Sequence, residues 1–394
     1  FVNSLADNGT GGCTVGECTL REAVVAASSA NDRVFFNMTT VGGSAPFTIA
    51  LNSTLTLATS STTLSGLTCT ACGTVNGTTT AAAAGFDSNL AIRVIASGTF
   101  ASGPLVKITG NLVTLRGLNL DGAVGDALEI TGDDPTVTDC YIGTSITGSA
   151  GTGNGGDGIE LHDGDDAVLG PGLLISGNTG AGIYIYDADS DRPLIKGNIV
   201  GLNRAATTTI GNGSHGIWIN ADDGTISISN IGGATAALGN VVSGNTGDGI
   251  RLQNQFDGDN VGVVSNNIVG TNGAVTAKRA NGGAGIRLLG GAAGGEEPRE
   301  TTFANNVVSG NTGAGFVLNR AKLDNFYSNA VGTNAAGTLD LGNGAEGFYL
   351  LADSGKDTKQ MVIGGVGLEN LIRFNAGDGI RMRDAFGSGA PDVK

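Results

Sequence analysis

One short apolar pattern returns through most of the chain: a glycine, an apolar residue, a variable residue and a second apolar residue. The glycines are Gly158, Gly182, Gly216, Gly249, Gly285, Gly315, Gly347 and Gly379. Each is followed by Ile159, Ile183, Ile217, Ile250, Ile286, Phe316, Phe348 or Ile380. Three places after the glycine stand Leu161, Ile185, Ile219, Leu252, Leu288, Leu318, Leu350 and Met382. Strand side chains alternate faces, so both apolar positions point to one interior and the residue between them points out. Leu128/Ile130 and Val106/Ile108 are earlier, degenerate copies. Four residues before every glycine there is an Asn: Asn154, Asn178, Asn212, Asn245, Asn281, Asn311, Asn343 and Asn375. Asn tolerates left-handed turns, and stacked side-chain amides bond from repeat to repeat as a ladder, which is a structural role.

Intervals between these glycines run from 24 residues (Gly158 to Gly182) to 36 (Gly249 to Gly285). A coil of three strands fits the short interval, and the longer ones add a loop. Two coil types alternate, one carrying Ser-Gly-Asn-Thr-Gly (176–180, 243–247, 309–313), the other Val-Gly-Thr-Asn or a close variant (200–203, 269–272, 331–334). Self-similarity at this spacing predicts an all-β solenoid, a right-handed parallel β-helix of about ten coils. The regular coils occupy residues 105–394, and the Thr/Ser/Ala-rich segment 41–104 reads as irregular first coils.

Residues 1–40 read as an N-terminal cap. Thr19 is placed as N-cap with Glu22 three residues on, a capping-box pattern, and Leu20, Ala23, Val24 and Ala27 share one face. Such a helix suits the open end of a β stack, which otherwise exposes unpaired edges. The stretch from Phe1-Val2-Asn3-Ser4 through Cys18-Thr19-Leu20-Arg21-Glu22-Ala23 resembles the Cys-Ser-Leu-Arg-Glu-Ala motif that opens many large secreted proteins of bacteria and archaea. The coils, with Asn240-Val241-Val242-Ser243-Gly244-Asn245 and Asn267-Ile268-Val269-Gly270-Thr271-Asn272, look like the β-helix repeats that follow it there. The resemblance implies a secreted or cell-surface protein, often without an assigned activity.

Composition agrees with one elongated domain. Of 394 residues 69 are Gly and 7 Pro, neither collagen nor a Pro-rich linker, and 40% are hydrophobic, enough to fill a core. The formal charge of −15 disfavours nucleic acid and anionic membrane as partners. No apolar run approaches the ~18 residues that span a bilayer. Cys13 with Cys18 and Cys69 with Cys72 are placed to close small disulfide loops, leaving Cys140 odd; a set of reduced thiols is the alternative. With two His and no paired knuckle spacing, zinc is not expected. Five Asn-x-Ser/Thr patterns begin at Asn8, Asn37, Asn52, Asn76 and Asn212.

The outward positions collect what chemistry the sequence offers. Glu160, Tyr184, Trp218 and Arg251 lie two places after their glycines, His162 and Tyr186 four places after, and His215 just before Gly216. Aromatic rings flanked by polar groups suit a sugar surface; the alternative is a ladder of like side chains stabilising neighbouring coils. No residue is assigned a catalytic role. Glycoside hydrolysis needs two carboxylates ~5–9.5 Å apart; Glu160 and Asp248 sit three coils apart, ~14 Å, and a turn is expected to part Asp157 from Glu160. Acidic turns after the strands, at Asp163, Asp165, Asp187 and Asp189, suggest calcium as the one candidate cofactor, against solvated turns whose Asp side chains bond their own backbone. The leading expectation is a non-catalytic extracellular structural or adhesive protein, its partners glycans or other copies of itself assembled end to end. The alternative is a polysaccharide-active β-helix enzyme or glycan-binding module.

Overall fold

The computed structural model describes residues 1–8, 12–186, 192–221, 230–254, 262–290, 301–321, 324–352, 359–384 and 392–393. Its strands form three parallel sheets of twelve, eleven and eleven strands, and each strand pairs with the one three places before it in the chain. Three strands therefore make one coil, and the coils stack as a right-handed parallel β-helix. Arg33–Asn37, Phe47–Leu51 and Leu55–Leu57 open the first, second and third sheets. The solenoid thus begins well before its sequence repeat becomes regular.

Register places like on like. Ile159 pairs with Ile183 and Ile183 with Ile217, while Leu161, Ile185 and Ile219 align beside them. These inward side chains are fully buried, as are their counterparts up to Phe348 and Leu350. In the last coil Ile380 and Met382 are 42% and 52% exposed, because no described residues stack on them. Late coils fill the core with aromatic rings: Phe303 stacks on Phe326 and Phe316 on Phe348, each pair 4.7 Å between centroids. The repeated glycine is forced by crowding. A Cβ on Gly182 would stand 2.6 Å from both the Gly216 carbonyl oxygen and Val200.

All eight predicted asparagines form one continuous ladder. Each Nδ2 donates to the Oδ1 of the next Asn at 2.7–3.0 Å, from Asn154 through Asn178, Asn212, Asn245, Asn281, Asn311 and Asn343 to Asn375. Their second Nδ2 hydrogens cap the second sheet, Asn212 donating to the Ile175 carbonyl and Asn281 to that of Val242. None of the eight is left-handed, contrary to the turn role expected of them; Gly177, Gly244 and Gly310, the residues just before three of them, take the positive φ instead. Asn212, one of the five Asn-x-Ser/Thr positions, is fully buried in this ladder, which removes it as a glycosylation acceptor in the folded chain.

A helix, α1 (Leu20–Ala26), covers the N-terminal end. Its capping box is complete: Thr19 accepts from the Glu22 N–H, and Glu22 accepts from the Thr19 N–H at 2.9 Å. Leu20, Ala23 and Val24 face the core, and Arg21 makes a two-pronged pair with Asp7 at 2.8 and 2.9 Å. Cys13 is bonded to Cys18 and Cys69 to Cys72, while Cys140 is a buried free thiol whose pKa burial pushes up to about 12. Among the described residues no helix is long and apolar enough to cross a membrane.

The outer faces of the sheets differ. Over part of the second sheet, Phe86 and Leu90 pack on Tyr141, Leu174, Ile199 and Val241 and close that surface. The third sheet keeps its outward row of polar and aromatic side chains half-buried and open to solvent.

Candidate functional site

Strand register lines up the outward residues of the third sheet, one per coil: Lys107, Glu129, Glu160, Tyr184, Trp218, Arg251 and Arg287. Two residues further on, Tyr186, Asn220 and Gln253 form a second row. A third row precedes the strands, where side chains cap the backbone of the following coil. Asp126 Oδ1 accepts the Asp157 N–H at 2.6 Å, and Asp157 accepts the Ala181 N–H. His215 Nδ1 accepts the Asp248 N–H at 2.9 Å, and Asp248 Oδ1 accepts the Ala284 N–H at 2.7 Å. These bonds fix the third row against the sheet. Sequence periodicity did not reveal them, because Ala181 and Ala284 interrupt the polar series with residues that only accept a cap through their backbone.

The seven residues singled out from the sequence come together in one patch. His162 stacks on Tyr186 at 5.2 Å, Tyr186 on Tyr184 at 4.9 Å, and Tyr184 meets Trp218 at 4.5 Å. His215 meets Trp218 edge-on at 5.2 Å, and the Arg251 guanidinium lies 5.7 Å from the centre of the Trp218 ring. The result is a continuous aromatic strip, with Glu160 at one end and Arg251 at the other.

At the Glu160 end three carboxylates converge. Asp126, Asp157 and Glu160 each present an oxygen, and these oxygens lie within 4.8 Å of one another. The expected separation of Asp157 from Glu160 by a turn is therefore corrected. Capping turns Asp157 toward the Ala181 N–H of the next coil, which carries its carboxylate onto the outward face. Burial first, then the nearby Asp126 charge, pushes Glu160 up to about 7, against the Tyr186 hydroxyl, which donates to it at 3.2 Å. Burial likewise pushes Asp157 up to about 6. Glu129 behaves differently: burial works against its charge, but Lys107 at 2.5 Å and His162 at 3.2 Å hold it below the usual carboxylate range. The patch thus sets an ionised Glu129 beside a Glu160 that keeps its proton near neutrality, two carboxylates with opposite aptitudes.

The other end is cationic. Asp248, its side chain only 4% exposed, receives Arg287 Nε at 2.8 Å and lies 3.6 Å from Arg251 Nη1. Burial lowers the pKa of His215, and its Nδ1 is committed as an acceptor, so the ring is neutral with its proton on Nε2.

Of the acidic turns assigned to calcium, Asp187 and Asp189 lie outside the described residues. Asp163 faces the His162 ring at 3.1 Å, and the Asp165 N–H bonds Asp133. Among the described residues, acids close enough to share one cation occur instead at Asp126, Asp157 and Glu160, just before and on the strands.

A family model described as a right handed beta helix region matches residues 137–330. No characterised protein sequence matches the chain. Among solved structures, the Dettilon tailspike protein (gp208) is 14% identical with a TM-score of 0.51, over 95% of this chain and 66% of its own. The A-module of Azotobacter vinelandii mannuronan C-5 epimerase AlgE6 is 14% identical with a TM-score of 0.49, over 95% and 91%. The catalytic domain of a GH87 alpha-1,3-glucanase is 11% identical with a TM-score of 0.48, over 100% and 68%. The three stacked parallel sheets make the chain a right-handed parallel β-helix, and the likeness to the tailspike protein is one of that fold alone.

Proposed function

We propose that this chain is a polysaccharide-active β-helix protein that works outside the cytoplasm. Its glycan lies along the outward face of the third sheet, and Glu160 is the proton-transferring group. One observation carries the reading. A carboxyl whose pKa stands at about 7 sits within 4.8 Å of two further carboxylates, at the end of a strip of stacked rings. Rings at the surface supply a stacking platform for sugar faces. A protonated carboxyl near neutral pH is what a general acid requires.

Turnover on a panel of neutral and acidic polysaccharides tests this. New reducing ends report hydrolysis, and new ultraviolet absorbance from an unsaturated sugar reports elimination. Glu160→Gln is expected to lower turnover about 100-fold or more, the usual range for loss of a general acid, while leaving binding nearly intact. Trp218→Ala is expected to weaken binding. Turnover that persists in Glu160→Gln overturns the catalytic role.

A second reading, adhesion without catalysis, draws on a specific feature: Asp126 and Asp157 each spend an oxygen on the backbone of the next coil, which gives both a structural duty. Its signature is binding lost in Trp218→Ala with no product from any polysaccharide.

A further inference from the structure

The cationic end of the strip has a charge balance that the packing of the coils does not require. Arg251 and Arg287 pair in register on neighbouring coils, ~4.8 Å apart along the axis. Their side chains are 24% and 27% exposed, and both lean on the same carboxylate, Asp248. Among the described residues two guanidinium charges thus face one carboxylate, and the adjacent His215 is neutral. Beyond Arg287 the surface turns apolar, with Ala284, Ala314 and Val317 packed together. A fixed positive charge therefore stands at an open face of a chain whose formal charge is −15.

The donors are arranged to be used. Asp248 is itself locked by the Ala284 N–H, and it takes Arg287 through Nε. Arg251 is held through Nε by Gln253 at 2.9 Å. Both side chains are anchored at Nε. The Nη groups of Arg287 have no hydrogen-bond partner among the described residues, and Arg251 Nη2 is likewise unengaged. The Nη N–H donors left over on two planar guanidinium groups suit an oxyanion with two or more oxygens.

We propose that Arg251 and Arg287 form an anion subsite that binds the carboxylate or sulfate of a sugar, so the ligand of this face is an acidic polysaccharide. Asp248 is the positioning residue, and Trp218 stacks the neighbouring ring. Arg251 lies three coils and Arg287 four from the Glu160 position, ~14 to ~19 Å, so one chain along the axis reaches both. This inference rests on reading the face as a glycan site.

The test is equilibrium binding of the full chain to three polymers: polygalacturonate, dextran sulfate and unmodified dextran, at low and high salt. The expected result is binding of one or both polyanions at least about tenfold tighter than dextran, weakening as salt rises. Preference between polygalacturonate and dextran sulfate distinguishes carboxylate from sulfate. Non-specific attraction does not predict this, because the chain is strongly acidic. Arg287→Gln and Arg251→Gln are each expected to weaken the polyanion about tenfold or more and to leave dextran unchanged, the scale of a lost charge-assisted contact. Arg287→Lys, which keeps the charge without the fork, is expected to recover part of the loss. Should a Gln variant fail to fold, the salt dependence of the unaltered chain still decides the matter. Dextran bound as tightly as the polyanions, or polyanion binding indifferent to salt and to both Arg variants, overturns the subsite while leaving a glycan face standing. Binding of none of the three, nor of any other polysaccharide, removes the glycan face itself and the subsite with it.

Discussion

Glu160 is boxed in by Tyr186 and His162 on one side and by Asp126 and Asp157 on the other, and its loss of solvent and the Asp126 charge outweigh the help it gets from His162, 3.8 Å away. Its pKa rises from 4.5 to about 7, so between those values the folded chain holds a proton that the unfolded chain has released. Stability contributed here is present below pH 4.5 and is lost as pH rises through about 7. Asp157 acts in the same direction from 3.8 to about 6. Thermal unfolding across this range provides the check. Glu160→Gln is expected to flatten the decline, unfolding above the natural chain on the alkaline side and close to it on the acid side. Because Glu160 is partly exposed, solvent screens the effect and keeps it modest. An unchanged pH profile in the variant would show that the burial of Glu160 carries no such penalty. At this scale the sequence was informative about which side chains share the face, since alternation alone assigns Glu160, Tyr184, Trp218 and Arg251 to it. It misplaced Asp157, whose direction depends on a hydrogen bond from the Ala181 N–H in the next coil, a contact that strand periodicity does not encode.

Asparagine ladders are the recurring element, and among the described residues there are two of them. The first was legible because each Asn keeps a constant distance from an unmistakable glycine. The second runs through Asn198, Asn240, Asn267, Asn306, Asn329 and Asn370, each just before a strand of the second sheet. Its Nδ2-to-Oδ1 links span 2.9–3.1 Å. It escaped notice because the strands after it are two residues long and lack a marker glycine, although Asn-Ile-Val and Asn-Val-Val repeat in plain view. Both ladders satisfy buried backbone groups that no side chain of another shape would reach. Asn267→Ala strands the Asn240 N–H and Nδ2 donors and the Ile231 carbonyl, all buried. At ~1–3 kcal/mol per stranded group, with partial relaxation, the expected cost is about 2–4 kcal/mol. Denaturant unfolding followed by limited proteolysis measures it, and the first cuts are expected in the coils flanking residue 267. A solenoid couples each coil mainly to its neighbours, so the damage stays local. Uniform loss of protection along the chain would contradict that locality.

At the scale of the whole stack, the first and the last described coils differ in what lies over them. At the N-terminal end α1 lays Leu20, Ala23 and Val24 over the first coil and packs against Leu55–Leu57, with Arg21 tethering it through Asp7 and the Ser53 and Thr54 carbonyls. At the far end Ile380 and Met382 occupy inward positions yet remain half exposed. Parallel strands stripped of their cover present unpaired backbone groups and apolar side chains together, the combination that recruits another chain. The helix is thus as much a barrier to association as a contributor to stability. Leu20→Asp places a charge where the natural side chain is fully buried, and α1 is expected to leave the stack rather than bury it. The strand Leu55–Leu57 then loses its cover. The measurable consequence is association that grows with protein concentration, seen by light scattering or sedimentation as mass added relative to the natural chain. Val25→Asp is the matched control, because Val25 sits on the same helix with its side chain 73% exposed, and the same charge there is expected to leave the mass distribution unchanged. If Leu20→Asp also behaves like the natural chain, the first coil protects its own edge, and α1 stabilises the fold without guarding it.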